Sequence, residues 1–372
     1  MDSISYHKKY KGKIGTELKS PIKDKVDLSL AYTPGVAEVS KELAKNNKRA
    51  SELSLKSNTI AVVSDGSAVL GLGNIGAYGA IPVMEGKAAL FKRFGNVDAF
   101  PICLNTQNSD EIVEIVKNIA PVFGGINLED IKAPKCFEIE RRLIKELDIP
   151  VMHDDQHGTA VVVLSALINA IKVVKKDLSV EIVINGSGAA GTAVCKLLLE
   201  YGFKNIVICD SQGAISTLRK DLNREKLSLA NTTNKNTEDG DIKKIIKNKD
   251  VFIGLSSGNL LDKNDVSQMK SNAIIFAMAN PIPEIMPEDA KLGGAKIVAT
   301  GRSDFENQIN NVLAFPGIFR GALDNKVKRI TNKMLIRAAV NLSKLVKNPT
   351  PKKIIPSAFD KNVAKIVAKS IV

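Results

Sequence analysis

Two pairs of adjacent acids, Glu129–Asp130 and Asp154–Asp155, bracket one stretch of this sequence. Between them, a proline-led segment with apolar residues at helical spacing predicts a helix at 134–147, and the next apolar residues predict a short strand at 149–152. Both pairs then lie near the same sheet edge, where carboxylates repel one another unless a proton or a cation intervenes. Oxygen ligands at this density suit Mg²⁺ or Mn²⁺ better than zinc. The alternative is two unrelated solvated turns, because acidic pairs are common in loops.

A glycine-rich turn later in the chain has the spacing of a dinucleotide-binding motif. Gly186, Gly188 and Gly191 follow a predicted β-branched strand at 180–185 and open an amphipathic helix, and the next strand ends in Asp210. This order of strand, turn, helix, strand and acid makes the motif specific. The glycine backbone and the helix N-terminus accept a pyrophosphate, and the acid accepts hydrogen bonds from ribose hydroxyls. A tight turn without a ligand is the alternative.

The choice between NAD and NADP depends on the residues that follow the second strand. Asp210 favours NAD, because an acid at this point accepts the ribose hydroxyls. Ser211 supplies no cation for a 2′-phosphate, but Arg219 or Lys220 in the same loop could supply one. The sequence therefore favours NAD while leaving NADP open.

A second GxGxxG motif occurs earlier, at Gly71, Gly73 and Gly76. Only a short run precedes it and Pro82 follows closely, so we expect it to open no long helix. We therefore interpret it as tight backbone packing near a ligand and not as the main dinucleotide site.

Four further side chains could take part in chemistry. Tyr32 stands before a Thr-Pro-Gly turn and is either a packed ring or a proton donor at a cleft. Lys87 lies among glycine and apolar residues and is either a surface lysine or one held in a cleft. Asn280 and Asn311 lie in polar loops and are either turn residues or amides that bind substrate.

Alternating strands and helices must position these residues. Strands are predicted at 59–64, 97–104 and 149–152, a helix is predicted to start at Asn108 or Ser109, and a buried helix is predicted at Gly158–Val174. Further strands are predicted at 180–185, 205–209, 250–255, 272–278 and 295–299, with closing helices at 329–347 and 355–372. Residues 1–27 are polar and predict a partly ordered arm.

These elements predict an α/β fold with two domains. The first is an N-terminal α/β substrate domain at 1–157. The second, at 158–372, is a C-terminal Rossmann-type doubly wound parallel sheet, and ligands bind at the carboxyl edge of such sheets.

The composition is that of a soluble globular protein. The chain has 372 residues, 44% apolar and 25% charged, and a net charge of +13. The lysines are scattered and there is no tryptophan, so we exclude nucleic-acid binding and expect a surface that favours anionic substrates. The four cysteines form no CxxC pair, which fits a reducing compartment. The start lacks a signal core, and no apolar run reaches the ~20 residues of a membrane span. We expect a cytoplasmic protein with no membrane contact.

Eight sequence blocks are similar to those of the compact bacterial and archaeal malic enzymes. They are AYTPGVA, SDGSAVLGLGNIG, VMEGKAALFKRF, FGGINLEDIKAP, HDDQHGTAVV, NGSGAAG, ANPIPEIMP and ATGRSDFENQINNVLAFPGIFRGAL. They occur in the family's order from Asp27 to Asp324, which makes the resemblance specific.

The resemblance implies oxidation of (S)-malate by NAD⁺ or NADP⁺ with release of CO₂ and pyruvate, dependence on Mg²⁺ or Mn²⁺, and a homodimer. It implies metal ligands at Glu129, Asp130 and Asp155, an acid at Tyr32 and a base at Lys87. It implies cofactor phosphates on the turn Gly188, Ala189, Ala190 and Gly191, and malate amides at Asn280 and Asn311. The larger eukaryotic members carry an arginine where this chain has Ala68, so another group, such as the metal with Lys87, must hold a malate carboxylate.

Other functions remain open on the sequence alone. A malolactic enzyme or a plain malate dehydrogenase could use the same scaffold, and oxaloacetate decarboxylation could accompany the main reaction. A metal-free two-domain dehydrogenase would have no use for the acidic pairs, and a binding module would use only the positive charge.

Overall fold

Two β-sheets form the framework of the protein. The computed structural model describes residues 2–69 and 71–372. The first sheet contains β1 (Thr59–Ser64), β2 (Asp98–Cys103), β3 (Gly125–Leu128) and β4 (Val151–His153), all parallel, in the order β2-β1-β3-β4. The second contains β5 (Glu181–Asn185), β6 (Asn205–Asp210), β7 (Gly213–Ala214), β8 (Val251–Gly254), β9 (Ile274–Ala277) and β10 (Ile297–Thr300), in the order β10-β9-β8-β5-β6-β7. These sheets confirm the predicted α/β fold.

In the second sheet, strands are added first on one side of β5 and then on the other. The chain passes from β5 to β6 on one side and later adds β8, β9 and β10 on the other, while β7 pairs antiparallel with β6. Such a change of side opens a crevice at the carboxyl ends of the central strands, where doubly wound sheets bind ligands. The glycine turn at Gly186 follows β5 directly and so lies at this crevice.

Helices cover the sheets and connect the strands. They are α1 (Ser3–Tyr10), α2 (Lys25–Ala31), α3 (Val36–Lys45), α4 (Ala50–Leu53), α5 (Gly76–Gly95), α6 (Ser109–Ile119), α7 (Lys135–Glu146), α8 (Asp154–Val173), α9 (Ala189–Tyr201), α10 (Arg224–Ala230), α11 (Ile242–Ile245), α12 (Lys263–Ser267), α13 (Pro287–Leu292), α14 (Phe315–Asp324), α15 (Asn332–Ser343) and α16 (Val363–Ala368). The prediction that Asn108 caps a helix is confirmed, since its side chain accepts from the backbone N–H groups of Asp110 and Glu111.

The buried helix α8 joins the two sheets. It begins directly after β4, packs against α9 and α15, and buries most of its residues in the core that both sheets share. By length and composition alone, α8 is long and apolar enough to cross a membrane, contrary to the expectation from the sequence. Most of that run is buried inside the protein, which identifies α8 as a core helix. The predicted domain boundary at 157/158 falls within α8 and stays a prediction.

One local prediction was wrong: the glycine motif at Gly71–Gly76 does open a long helix, α5, which continues through Pro82 to Gly95. The N-terminal residues, predicted as a partly ordered arm, include α1 and the start of α2, each capped by an aspartate. The four cysteines are free, as expected.

Candidate active site

The acidic residues lie together at the carboxyl ends of two neighbouring strands. Strands β3 and β4 pair in parallel with Leu128 opposite His153, so the residues that follow them meet at one edge. Glu129, Asp130 and Asp155 each present a carboxylate oxygen, and these oxygens lie within 4.8 Å of one another. The Asp130 backbone N–H donates to Asp155 Oδ2 at 2.9 Å, which fixes the second acid pair against the first.

Lys87 brings a buried positive charge to this edge from α5. Its Nζ lies 2.7 Å from Glu129 Oε1 and 2.6 Å from Asp154 Oδ2, and it stands 4.2 Å from the centre of the Phe315 ring. The side chain is only 8% exposed, so the lysine is held in a cleft and is not a snorkelling surface residue. Burial alone would lower the pKa of Lys87, but the charges of Asp154 and Glu129 outweigh it and raise the pKa.

The carboxyl groups of Glu129, Asp130 and Asp154 all have raised pKa values. Burial, followed by the charge of Asp155, raises the pKa of Asp130 to about 8. Burial also raises the pKa of Glu129 well above its ordinary value, although Lys87 opposes the shift. The pKa of Asp154 is raised for the same reason, again against Lys87. One lysine therefore does not balance the negative charge that this edge can carry.

Buried oxygen atoms at the site have no hydrogen-bond partner within the described ranges. They are Asp130 Oδ2, Asp154 Oδ1 and Asn127 Oδ1. A buried carboxylate oxygen without a donor is costly, and a divalent cation is a partner that would satisfy it. The three clustered oxygens of Glu129, Asp130 and Asp155 are the hard ligands that Mg²⁺ and Mn²⁺ prefer. The residues present fit such a cation.

A buried ion pair behind the acids holds the turn between β4 and α8. Glu140 on α7 accepts from the His153 backbone N–H at 2.7 Å and from Gln156 Nε2 at 3.1 Å, and it lies 3.0 Å from His157 Nε2. Burial alone would raise the pKa of Glu140, but the charge of His157 lowers it below its usual value. Glu140 thus fixes both sides of Asp155 from α7, and the sequence analysis did not identify it. An acid next to Ile139 on the apolar face of that helix was the available signal.

The two asparagines lie in loops that follow strands of the second sheet and contact the first half of the chain. A Cβ added to Gly158 would lie 1.8 Å from Asp154 Oδ1 and 3.3 Å from the Asn311 Cβ, so Asn311 packs beside the acid turn. A Cβ added to Gly71 would lie 2.4 Å from the Asn280 carbonyl oxygen. The first glycine motif is therefore a close backbone contact between the halves of the chain, as its interpretation as tight packing required.

Tyr32 is not brought to the acids by hydrogen bonds. It caps the end of α2, its side chain is 68% exposed, and its hydroxyl makes no hydrogen bond to the rest of residues 2–69 and 71–372. The packed-ring alternative therefore does not describe it.

The second glycine motif forms a turn into α9. Gly188 is the N-cap of α9, and open space surrounds the position of its missing Cβ. A Cβ on Gly191 would lie 1.7 Å from the Gly186 carbonyl oxygen. Gly186 has φ +116°, a conformation that favours glycine, and its N–H donates to the Cys209 carbonyl of β6. The exposed backbone at Gly188, Ala189 and Ala190 leads into a helix N-terminus, which suits a pyrophosphate.

Asp210 ends β6 beside this turn and is held by two cations. Its carboxylate accepts from Arg219 Nη1 at 2.8 Å, Arg219 Nη2 at 3.1 Å, Lys226 Nζ at 2.6 Å and the Gln212 N–H at 2.9 Å. Burial alone would raise its pKa, but the bonds from Arg219 and Lys226 lower it. Arg219 is the residue named from the sequence, whereas Lys226, and not Lys220, supplies the second cation.

Comparison with known proteins identifies the family. Two models match almost end to end: the malic enzyme N-terminal domain over residues 11–144 and the malic enzyme NAD-binding domain over residues 156–372. The chain belongs to the malic enzyme family. This confirms the resemblance found in the sequence, the prediction of an oxidoreductase and the presence of an NAD(P)-binding domain.

Two bacterial malic enzymes match over most of their length. A bifunctional malic/malolactic enzyme of Bacillus subtilis is 52% identical over 100% of this chain and 91% of that protein. An NAD-dependent malic enzyme of Geobacillus stearothermophilus is 53% identical over 97% of this chain and 76% of that protein. The crystal structure of an NAD-dependent malic enzyme from Thermotoga maritima superposes with a TM-score of 0.97 at 49% identity, covering 100% of this chain and 99% of that one. More distant matches include NADP-dependent malic enzymes.

The glycine turn makes two substitutions behave differently. Gly188→Ala has room for its methyl group, so we expect an unchanged melting temperature, but the methyl covers backbone that a phosphate must approach and should weaken NADH binding at least about tenfold. Gly191→Ala drives its methyl into the Gly186 carbonyl and should lower the melting temperature. Fluorescence titration with NADH and thermal unfolding measure the two effects. Full NADH affinity in Gly188→Ala would show that the phosphate lies elsewhere.

Proposed function

We propose that the protein oxidises (S)-malate with NAD⁺ or NADP⁺ and decarboxylates the product to pyruvate and CO₂, with Mg²⁺ or Mn²⁺ bound at Glu129, Asp130 and Asp155. The observation that carries the proposal is the buried Lys87 between Glu129 and Asp154, beside the acid cluster and in a chain with a dinucleotide turn. Decarboxylation of added oxaloacetate is part of the same proposal.

The order of the chemistry follows from malate itself. Malate cannot lose CO₂ directly, because the electrons left behind have no acceptor. Oxidation at C2 first creates a ketone β to the carboxylate, which can take those electrons as an enol. When bound, the nicotinamide accepts the hydride and the divalent cation stabilises negative charge on the C2 oxygen. The chain must therefore supply a base for the C2 hydroxyl and an acid for the enol carbon.

Lys87 is the base in this proposal. A free lysine has a pKa of ~10.4, and both neighbouring carboxylates raise it further, so Lys87 as surrounded here is charged. Burial alone does not make it neutral. A cation held by Glu129 would take up part of that carboxylate's charge and so lower the pKa of Lys87. Asp154 keeps the amine aimed at the site through its 2.6 Å hydrogen bond.

Tyr32 is the acid in this proposal, and Asn280 and Asn311 bind malate carboxylate oxygens. A hydroxyl on an exposed helix end can reach the enol carbon only if the segment docks over the cleft. Asn311 lies beside Gly158 and Asp154 at the acid turn, which supports its role. The chain has Ala68 at the position of the arginine in the larger family members, so Lys87 and the cation also neutralise substrate carboxylate charge.

The runner-up is malolactic conversion on the same scaffold. The observation that favours this alternative is that a relative at 52% identity is a bifunctional malic/malolactic enzyme. The two reactions differ in products: the proposed reaction yields pyruvate with net NAD(P)H, and the alternative yields lactate without it.

A spectrophotometric assay with malate and Mn²⁺ tests the proposal, with each cofactor in turn. We expect formation of NADH or NADPH together with pyruvate and CO₂, loss of activity with EDTA and its recovery with Mn²⁺. Lys87→Ala should reduce malate oxidation by about 10²–10⁴-fold, the usual contribution of a general base. Tyr32→Phe should retain more oxidation and lose more of the enol protonation step.

Lys92→Ala provides the matched control, because Lys92 lies on the same helix with its side chain 55% exposed. It should retain full activity. Equal losses of oxaloacetate decarboxylation in Lys87→Ala and Tyr32→Phe would argue against the division of roles. Lactate without net NAD(P)H would establish the alternative.

Cation binding should depend on pH in a defined direction. The raised pKa values of Asp130, about 8, and of Glu129 mean that protons occupy the site at neutral pH. Mn²⁺ must displace them, so its affinity should rise as the pH increases toward 8, by up to about tenfold per unit for each proton displaced. Electron paramagnetic resonance of free Mn²⁺ measures this. Asp98→Asn, which removes a carboxylate with a pKa of about 2, should leave the profile unchanged, and a flat parent profile would contradict the assignment.

We also propose a homodimer that buries the N-terminal helices. No residue of α1, α2 or α3 is buried, and their exposed apolar side chains include Ile4, Tyr6, Tyr10, Val26, Leu28, Leu30, Val36 and Val39. Exposed apolar surface on this scale marks an interaction site. Sedimentation equilibrium should give twice 40.1 kDa. Leu30→Glu should favour the monomer, whereas Leu292→Glu, equally exposed on α13, should not. A monomer at all concentrations would refute the dimer.

A further inference from the structure

Glu284 is a buried acid that the proposed mechanism does not use. It lies in the loop between β9 and α13, and it is fully buried. Its carboxylate accepts from the backbone N–H of Ser256 at 3.1 Å and from that of Ala279 at 3.0 Å, and no cation pairs with it within residues 2–69 and 71–372. Burial raises the pKa of Glu284, and the two N–H bonds oppose that shift. Burying a carboxylate without a counter-charge is costly, so these two bonds must serve a purpose.

The Glu284 carboxylate bridges two loops at the carboxyl edge of the second sheet. Its Oε1 binds the loop that follows β8, and its Oε2 binds the loop that follows β9. Gly254, the last residue of β8, leaves the room that this requires, since a Cβ there would lie 2.3 Å from Glu284 Cδ and 2.5 Å from Oε1. Both oxygens of an ionised carboxylate are acceptors, so it suits two N–H donors that belong to different loops, whereas a glutamine would turn an amine toward one of them.

The loop that follows β8 is also held without Glu284. The Leu255 N–H donates to the Asn185 carbonyl at 2.8 Å, and Asn185 Nδ2 donates to Ser256 Oγ at 2.7 Å. This loop borders the dinucleotide turn, because a Cβ on Gly186 would lie 2.5 Å from the Leu255 carbonyl oxygen. The loop therefore keeps its place beside the turn even where Glu284 is changed.

The loop that follows β9 carries Asn280, and Glu284 holds the residue before it. Asn280 is exposed, whereas Ala279 is buried and donates its N–H to Glu284 Oε2. The space around Asn280 is narrow on two sides: a Cβ on Gly71 would lie 2.4 Å from its carbonyl oxygen, and a Cβ on Gly301 would lie 2.7 Å from its Nδ2. A small shift of the loop therefore changes where the Asn280 amide points.

We propose that Glu284 is a positioning residue for malate binding: it fixes Asn280 by tying the Asn280 loop to the loop beside the dinucleotide turn. The inference rests on the proposed function, in which Asn280 binds malate. Glu284 is fully buried and so touches neither ligand, and it acts only through its two backbone bonds. Because Asn185 already anchors the dinucleotide side, loss of the bridge affects malate and spares the dinucleotide.

Kinetics and direct binding of one variant, Glu284→Gln, test this. Its amine faces a backbone N–H, and since an unsatisfied buried group of this kind is costly, KM for malate should rise at least about tenfold. The dissociation constant for NADH, from fluorescence titration without malate or metal, should stay within about twofold of the parent value, as for independent sites. Adding Glu284→Gln to Asn280→Ala should raise KM no further, because the first residue acts through the second. A purely structural role would instead weaken malate and NADH binding alike and add to the effect of Asn280→Ala.

Two further variants complete the test. Glu284→Asp keeps the charge but is too short to reach both loops, so it should also raise KM for malate, and it tests the inference even where Glu284→Gln fails to fold. Glu288→Gln, at an exposed position on α13, is the matched control and should behave as the parent does. A parental KM in either folded Glu284 variant, or an additive effect with Asn280→Ala, overturns the inference. A parental KM in Asn280→Ala would refute the role of Asn280 in the proposed function, and the inference with it.

Discussion

The site depends on a surplus of buried negative charge at the carboxyl ends of β3 and β4. Glu129, Asp130, Asp154 and Asp155 follow two strands that are about 5 Å apart. Among residues 2–69 and 71–372, Lys87 is the only buried lysine or arginine that pairs with them. Groups buried in this way either take up protons or bind a cation. The excess of negative charge is consistent with the raised pKa of Asp130 and with the carboxylate oxygens that have no partner. A site that is stable without a cation would need further hydrogen-bond donors for these carboxylate oxygens.

The helix α8 explains how this surplus is tolerated. Asp154 and Asp155 form its first turn, where the positive end of the helix dipole favours carboxylates. Most of the remainder of α8 is buried in the core shared by both sheets, so the acids are anchored by a buried helix. Gly158 then becomes necessary, since a side chain one turn later would overlap Asp154. The same helix therefore fills the core, provides Asp154 and Asp155 in its first turn, and leaves room at Gly158 for Asn311.

The sequence predicted what local patterns determine. The strand at Thr59–Ser64 and the turn at Gly186–Gly191 were identified because β-branched runs and glycine spacing are local signals. The sequence could not reveal that Asp154 bonds Lys87, because a residue pair 67 positions apart meets only through the fold. Glu140 was missed for the same reason: its partners, His157 among them, lie on another element. The error over α5 came from treating Pro82 as a helix breaker, whereas α5 continues through it to Gly95.

The same distinction applies to the loop after β6. The motif places an acid at Asp210, and that local signal favours NAD. Basic residues later in the loop favour NADP if their number alone is considered, and here Arg219 and Lys226 both lie within bonding distance of the acid. The partners of each cation cannot be read from spacing. The five N–H groups of Arg219 all donate to Asp210, Asp221 and the Gly213 carbonyl, so none is left for a further acceptor. Charge inventories of such loops therefore mislead unless each donor is assigned to its acceptor.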